Sequence, residues 1–103
     1  MKVVKVVINV ASTLFDLSDK ALEKYSKLSG IPEYYLDARR ISRHCPHLVR
    51  IVEEMGVEAD TEDTALVIEE VKGDRYHILS TKEGVEYVIT PEIVENIKWV
   101  RAI

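Results

Sequence analysis

The sequence predicts an α+β domain, in which two helices pack on one face of a mainly antiparallel sheet of about five strands in the order β-α-α-β-β-β-β. Three observations carry this. Residues 3 to 10 form an apolar, β-branched run almost without alternation, two capped amphipathic stretches follow, and from Thr64 onward the pattern shifts to period two or short apolar runs.

The first run (Val3, Val4, Val6, Val7, Ile8, Val10) reads as a central strand covered on both faces. The first helix starts at Ser18, whose side chain is placed to cap backbone N–H groups, with Asp19 complementing the dipole and Leu17 packing on Leu22. Ala21, Leu22, Tyr25 and Leu28 make its apolar stripe, and Gly30 supplies a left-handed stop before Pro32. Residues 31 to 43 are less regular, with Tyr34, Tyr35 and Leu36 read as a short strand or buried loop. The second helix starts at Pro46, where a missing N–H costs nothing, and ends before Gly56. Its stripe is Leu48, Ile51, Val52 and Met55.

Four strands are expected at Ala65–Val71, Arg75–Ser80, Val85–Thr90 and Ile97–Ile103. Lys72-Gly73-Asp74 and Lys82-Glu83-Gly84 supply tight turns between the first three, which makes them an antiparallel meander. Thr90-Pro91-Glu92 reads as a capped turn leading into a short helical piece through Val94.

The 103 residues fit one domain, 1–103, without linker, repeat or low-complexity tract. Fourteen basic against 18 acidic side chains leave a formal charge of −4, which argues against a general electrostatic grip on nucleic acid or on an anionic membrane. One cysteine, Cys45, excludes an internal disulfide framework. No stretch approaches about 18 apolar residues, so a cytoplasmic protein without a membrane partner is expected.

Phe15-x-Leu17-Ser18-x-x-Ala21, Arg43-x-x-Pro46-x-Leu48-Val49-x-x-Val52-Glu53-x-x-Gly56 and Tyr76-x-Ile78 with Gly84-x-Glu86-x-Val88-x-Thr90-Pro91-Glu92 form a set. Together, over roughly residues 8 to 100, they resemble a family of small, functionally unassigned proteins of bacteriophages and large DNA viruses. Members of that family usually carry an acidic residue before the proline, where this chain has Cys45. The resemblance implies a viral accessory protein and supplies no catalytic residues.

The segment from Arg39 to Arg50 holds Arg39, Arg40, Arg43 and Arg50, four of the six arginines, together with His44 and His47 and no acid. Arginine forks match phosphate or carboxylate oxygens two at a time, and a helix begins inside this island. Tyr34 and Tyr35 precede it and offer rings for stacking beside the charge. These eight residues are the expected ligand-binding set, for an anionic, nucleotide-like small molecule or an acidic host protein surface. The competing expectation is that the arginines pair internally with Glu53, Glu54, Glu58, Asp60, Glu62 and Asp63.

Cys45 stands at the expected helix cap between His44 and His47, a setting that favours a thiolate. A nucleophile also needs a base oriented by a third group, which sequence adjacency does not provide. Tyr76, Ile78, Val85, Tyr87 and Ile89 alternate as a core-facing strand face would. The spacing of His44, Cys45, His47 and His77 does not support a metal site, and no cofactor motif is present. The resemblance and the arginine island together imply a non-enzymatic viral accessory protein that binds a host component, sequestering an anionic immune-signalling nucleotide or blocking a host protein. A structural virion component and a small Cys/His hydrolase or phosphodiester-acting enzyme are the alternatives. Self-association is expected in either binding case, because a chain this short cannot wrap a large ligand and keep its own core.

Overall fold

A computed structural model describes residues 2–91 and 99–102. The expected elements fall at β1 (Val3–Asn9), α1 (Asp19–Ser29), α2 (Pro46–Met55), β2 (Leu66–Lys72), β3 (Arg75–Ser80), β4 (Glu86–Ile89) and β5 (Val100–Arg101). Short 3-10 turns at Glu33–Tyr35, Ala38–Arg40 and Gly56–Ala59 fill the connections. The turn and helical piece expected beyond Pro91 lie outside the described residues, as does part of the last expected strand.

The α+β class holds, but the single sheet and the three-strand meander do not. The strands divide between two antiparallel sheets, β1-β2 and β4-β3-β5. β2 pairs with β1 from Val3↔Lys72 to Asn9↔Leu66, and β3 pairs with β4 and β5. The physical reason lies at Gly73. Its N–H donates to the Lys2 carbonyl at 2.8 Å, so the turn still belongs to the β1 ladder and β3 leaves for the second sheet. Turn chemistry in the sequence marks where a chain reverses, not which sheet receives it.

Two clusters explain the unalternating apolar run of β1. Val7, with Leu66 and Ile68 of β2, packs against Leu17, Ala21 and Tyr25 of the α1 region and Leu48, Ile51 and Val52 of α2. Val6, Ile8 and Val71 face the other way, onto Tyr76, Ile78 and Val88 of the second sheet. β1 is covered on both faces, as expected, yet it hydrogen-bonds to one strand rather than two.

The first helix forms as its caps dictate, and α2 starts at Pro46 without a side-chain cap. The Ser18 hydroxyl accepts from the Ala21 N–H at 3.2 Å, and Gly30 takes φ +78° at the other end of α1. In the second sheet the core-facing set is Tyr76, Ile78 and Val88, so Tyr87 faces away and is 45% exposed. That corrects the expected grouping of Tyr87 with the core, whereas Ile89 of the same expected set is buried.

Candidate functional site

The segment between the helices is tied down locally before it presents anything. The Ser26 hydroxyl donates to the Ile31 carbonyl at 2.6 Å, and the Ile31 N–H donates to Ser29 Oγ at 3.2 Å. A 3-10 turn then carries Tyr34 and Tyr35, and these rings are neither in a strand nor buried. They are 81% and 73% exposed, with centroids 4.6 Å apart. The Asp37 carboxylate accepts from the Arg39 N–H at 3.0 Å, starting the next turn, and the small side chain of Ala38 is buried as its anchor. Arg39 and Arg40 consequently point outward. Arg40 makes a loose contact with Asp37 at 3.7 Å, whereas Arg39 forms no ion pair among the described residues.

Arg43 has the opposite fate. Its carbonyl accepts from the Val7 N–H at 2.9 Å, which turns the side chain inward. The guanidinium lies 3.6 Å over the Phe15 ring and donates to both Glu86 carboxylate oxygens, at 2.7 and 2.9 Å. Its side chain keeps only 17% exposure. Its fork is thus already occupied, and the acid that occupies it lies outside the acidic stretch considered for internal pairing.

His44 Nδ1 is 2.7 Å from the Tyr76 hydroxyl and 3.1 Å from Ser42 Oγ, and burial lowers its pKa from the ordinary value. The Tyr76 phenol is pushed up, by burial first. His47 meets the edge of Tyr25 at 6.1 Å, and Arg50 pairs with Glu54 at 2.8 Å on the outer face of α2. The pairing of Arg50 with Glu54 is the internal neutralisation that the sequence offered as an alternative.

Cys45 occupies the cap position of α2 without a side-chain capping bond, and its Sγ lies 3.6 Å from the Tyr25 hydroxyl. Burial, with the Cys45 contact second, pushes the Tyr25 phenol up to about 12. Neither His44 nor His47 hydrogen-bonds to Cys45, so the described residues do not assemble a nucleophile and base there. No three His, Cys, Asp or Glu side chains converge as a metal site among the described residues.

Tyr25, Ile31, Tyr35, Leu36, Ile41 and Cys45 line a mainly apolar hollow of about 260 Å³, whose wall also includes Asp37 and Arg40. The structure therefore splits the eight expected residues. Tyr34, Tyr35 and Arg40 are exposed at this hollow, which Tyr35 and Arg40 both line, whereas the exposed Arg39 borders a separate hollow with Ser42, Arg43 and Tyr76; Arg43 and His44 are turned into the fold, and His47 and Arg50 belong to α2. Sequence reasoning missed the lining residues Tyr25, Ile31, Leu36 and Ile41. Tyr25 carried only the signal of a helix stripe, and the other three carried no periodicity. No helix among the described residues is long and apolar enough to cross a membrane. Comparison with protein-family models, curated proteins and solved structures gives no match.

Proposed function

We propose that this protein is a non-enzymatic binding protein, a viral accessory factor of the kind its sequence resembles, acting in the host cytoplasm. Its contact surface is the face formed by Tyr34, Tyr35 and Arg40, with Arg39 on the neighbouring turn. The observation that carries the reading is the Tyr34–Tyr35 pair, its rings tilted against each other in solvent, with the outward Arg40 lining the same hollow as Tyr35. Exposed tyrosines next to arginine are characteristic of interface centres rather than of solvated loops. The partner is an anionic group with an aromatic or apolar part, as on a nucleotide-like ligand or an acidic host protein surface. Aromatic rings then stack and arginine forks take the charge, with the adjoining hollow accepting an apolar group.

Native mass spectrometry of the protein after incubation with a nucleotide panel tests this. A retained nucleotide recovered unchanged after denaturation supports binding, whereas a new product establishes catalysis and overturns the reading. Tyr35→Ala and Arg40→Ala are each expected to weaken retention about tenfold or more without shifting the melting temperature. If neither retention nor binding to an acidic protein surface changes in these variants, the contact face lies elsewhere.

A further inference from the structure

The hydrogen-bond direction along the β1-β2 ladder can be read from three contacts. The Val7 N–H turns away from β2 to the Arg43 carbonyl, while Val10 donates to Ala65 and Gly73 donates to Lys2 across the ladder. Alternation in an antiparallel pair then makes Val4↔Val71, Val6↔Glu69 and Ile8↔Val67 the bonded pairs. Leu66, Ile68, Glu70 and Lys72 direct their N–H and C=O groups to the outer edge of β2. The Leu66 N–H is taken by the Asp60 carboxylate at 2.9 Å, but no described group bonds the edge N–H groups of Ile68 and Glu70.

The opposite edge of the same sheet is treated differently. On β1, Arg43 and Glu86 take the outward groups of Val7 and the N–H of Asn9. Among the described residues, the β1 edge is thus plugged at Val7 and Asn9, and the β2 edge at Leu66 alone.

The charge along this edge is mainly negative. Residues 53–70 contain eight acids and no Lys, Arg or His. Glu53 and Glu54 are paired with Lys5, Lys24 and Arg50. Glu58, Glu62, Asp63 and Glu69 are exposed and form no ion pair among the described residues, and the exposed Glu70 stands across the ladder from Lys5, whose pKa is raised by Glu53 first and by Glu70 as well. Lys72 is the basic residue at the end of the strand.

We propose that the outer edge of β2, from Ile68 to Lys72, receives an extended basic segment of a partner protein as an added antiparallel strand. Main-chain bonds at Ile68 and Glu70 hold such a strand, and lysine or arginine on it faces the exposed carboxylates. A second copy of this chain fits poorly, because β2 against β2 would bring two such acidic stretches together. This edge is separate from the tyrosine–arginine face, so the two proposals stand or fall independently.

The test uses the intact protein and an eight-residue peptide alternating lysine and valine. Peptides with glutamate in place of lysine, or with N-methyl groups on the bonding amides, serve as controls. Saturating basic peptide is expected to slow hydrogen exchange at the Ile68 and Glu70 amides at least about tenfold, and binding is expected to weaken as salt rises. The N-methylated and acidic peptides are expected not to protect those amides. Glu70→Pro removes one edge donor at an exposed edge position where proline is tolerated, and circular dichroism establishes that it folds. It is expected to lose binding, while Glu70→Gln keeps the backbone and loses only several-fold. Equal binding of the N-methylated peptide, or binding without protection of Ile68 and Glu70, would show mere charge attraction and overturn the proposal. So would absence of binding, or self-association that protects the same two amides.

Discussion

Arg43 grips Glu86 through two hydrogen bonds, and the pair occupies the place where a strand beside β1 would lie. Arg43 supplies its carbonyl to the Val7 N–H at 2.9 Å and its guanidinium to the Val7 carbonyl at 3.2 Å. Glu86 accepts from the Asn9 N–H at 2.8 Å. Two side chains thereby satisfy backbone groups that a half-covered sheet edge would otherwise leave unpaired. They also join α2's leading segment to the second sheet, because Glu86 opens β4.

The first prediction follows from that pair. Arg43→Ala would leave Glu86, at 12% side-chain exposure, with its charge poorly solvated and would free the Val7 carbonyl. A loss of roughly 2 to 4 kcal/mol in stability is expected. Arg43→Lys keeps the charge but not the fork or the stacking on Phe15, so it should recover only part. A cycle with Glu86→Gln should give a coupling of about 1 to 3 kcal/mol. Urea unfolding midpoints with matched slopes measure this, and a total cost below about 1 kcal/mol for Arg43→Ala would show that the fork adds little.

How much of this was legible in the sequence depends on the range of the interaction. Ser18, Gly30, Pro46 and the stripes of α1 and α2 act within a few residues, and they folded as read. β1 was legible as a strand covered on both faces, because an unalternating run requires it. What covers each face was not, since the departure of β3 into a second sheet turns on a main-chain bond between Gly73 and Lys2. The candidate site divided for the same reason. Arg39, Arg40 and Arg43 are alike in the sequence, and only a contact 43 residues away, with Glu86, separates the third from the first two.

Gly84 and Gly73 give a second prediction, because they share a backbone conformation but not a neighbourhood. Their φ angles are +97° and +99°, in a region that disfavours side chains. A Cβ on Gly73 would meet open space, whereas one on Gly84 would lie 2.9 Å from the Thr13 carbonyl oxygen. Gly73→Ala should cost about 1 kcal/mol from conformation alone. Gly84→Ala should cost more, since the Thr13 backbone, held by the Asn9 side chain at 2.9 Å, must shift. Thermal melts of the two variants compare them, and equal costs would show that the β3–β4 turn moves away from residue 13 without penalty.

At alkaline pH the fold should weaken through Tyr25. Its phenol is held near 12 by burial and by Cys45, above the ordinary value of 10.0. The folded state therefore resists ionisation more than the unfolded chain does. This contribution is fully present below pH 10 and is lost as pH rises from there through about 12. Tyr76, also raised by burial, adds with the same sign. Stability measured in urea over that window should fall less steeply for Tyr25→Phe than for the parent. Parallel slopes would mean that Tyr25 ionises freely in the folded protein.

His44 makes the complementary prediction on the acid side. Its ring is removed from water against Tyr76, with the Tyr76 hydroxyl 2.7 Å from Nδ1 and Ser42 beside it, and burial lowers its pKa from 6.5. The unfolded chain then binds a proton at a higher pH than the folded one. The stability that neutral His44 provides is complete above about pH 6.5 and is lost as pH falls from there through the lower folded value. Glu54, whose carboxyl is lowered by hydrogen bonds from Arg50 and Lys24, has an ordinary value of 4.5. Its contribution declines only at more acid pH, so His44 can be read above that range. Urea midpoints taken at intervals from about pH 7.5 to 5 should fall for the parent protein. His44→Gln retains a group that can accept a hydrogen bond from the Tyr76 hydroxyl but cannot take up a proton in this range. Its baseline stability at pH 7.5 should be somewhat lower through lost ring packing, and its decline toward pH 5 should be shallower. A parent whose stability rises on acidification would require an anionic neighbour for His44 instead of the partial burial against Tyr76 that lowers its pKa.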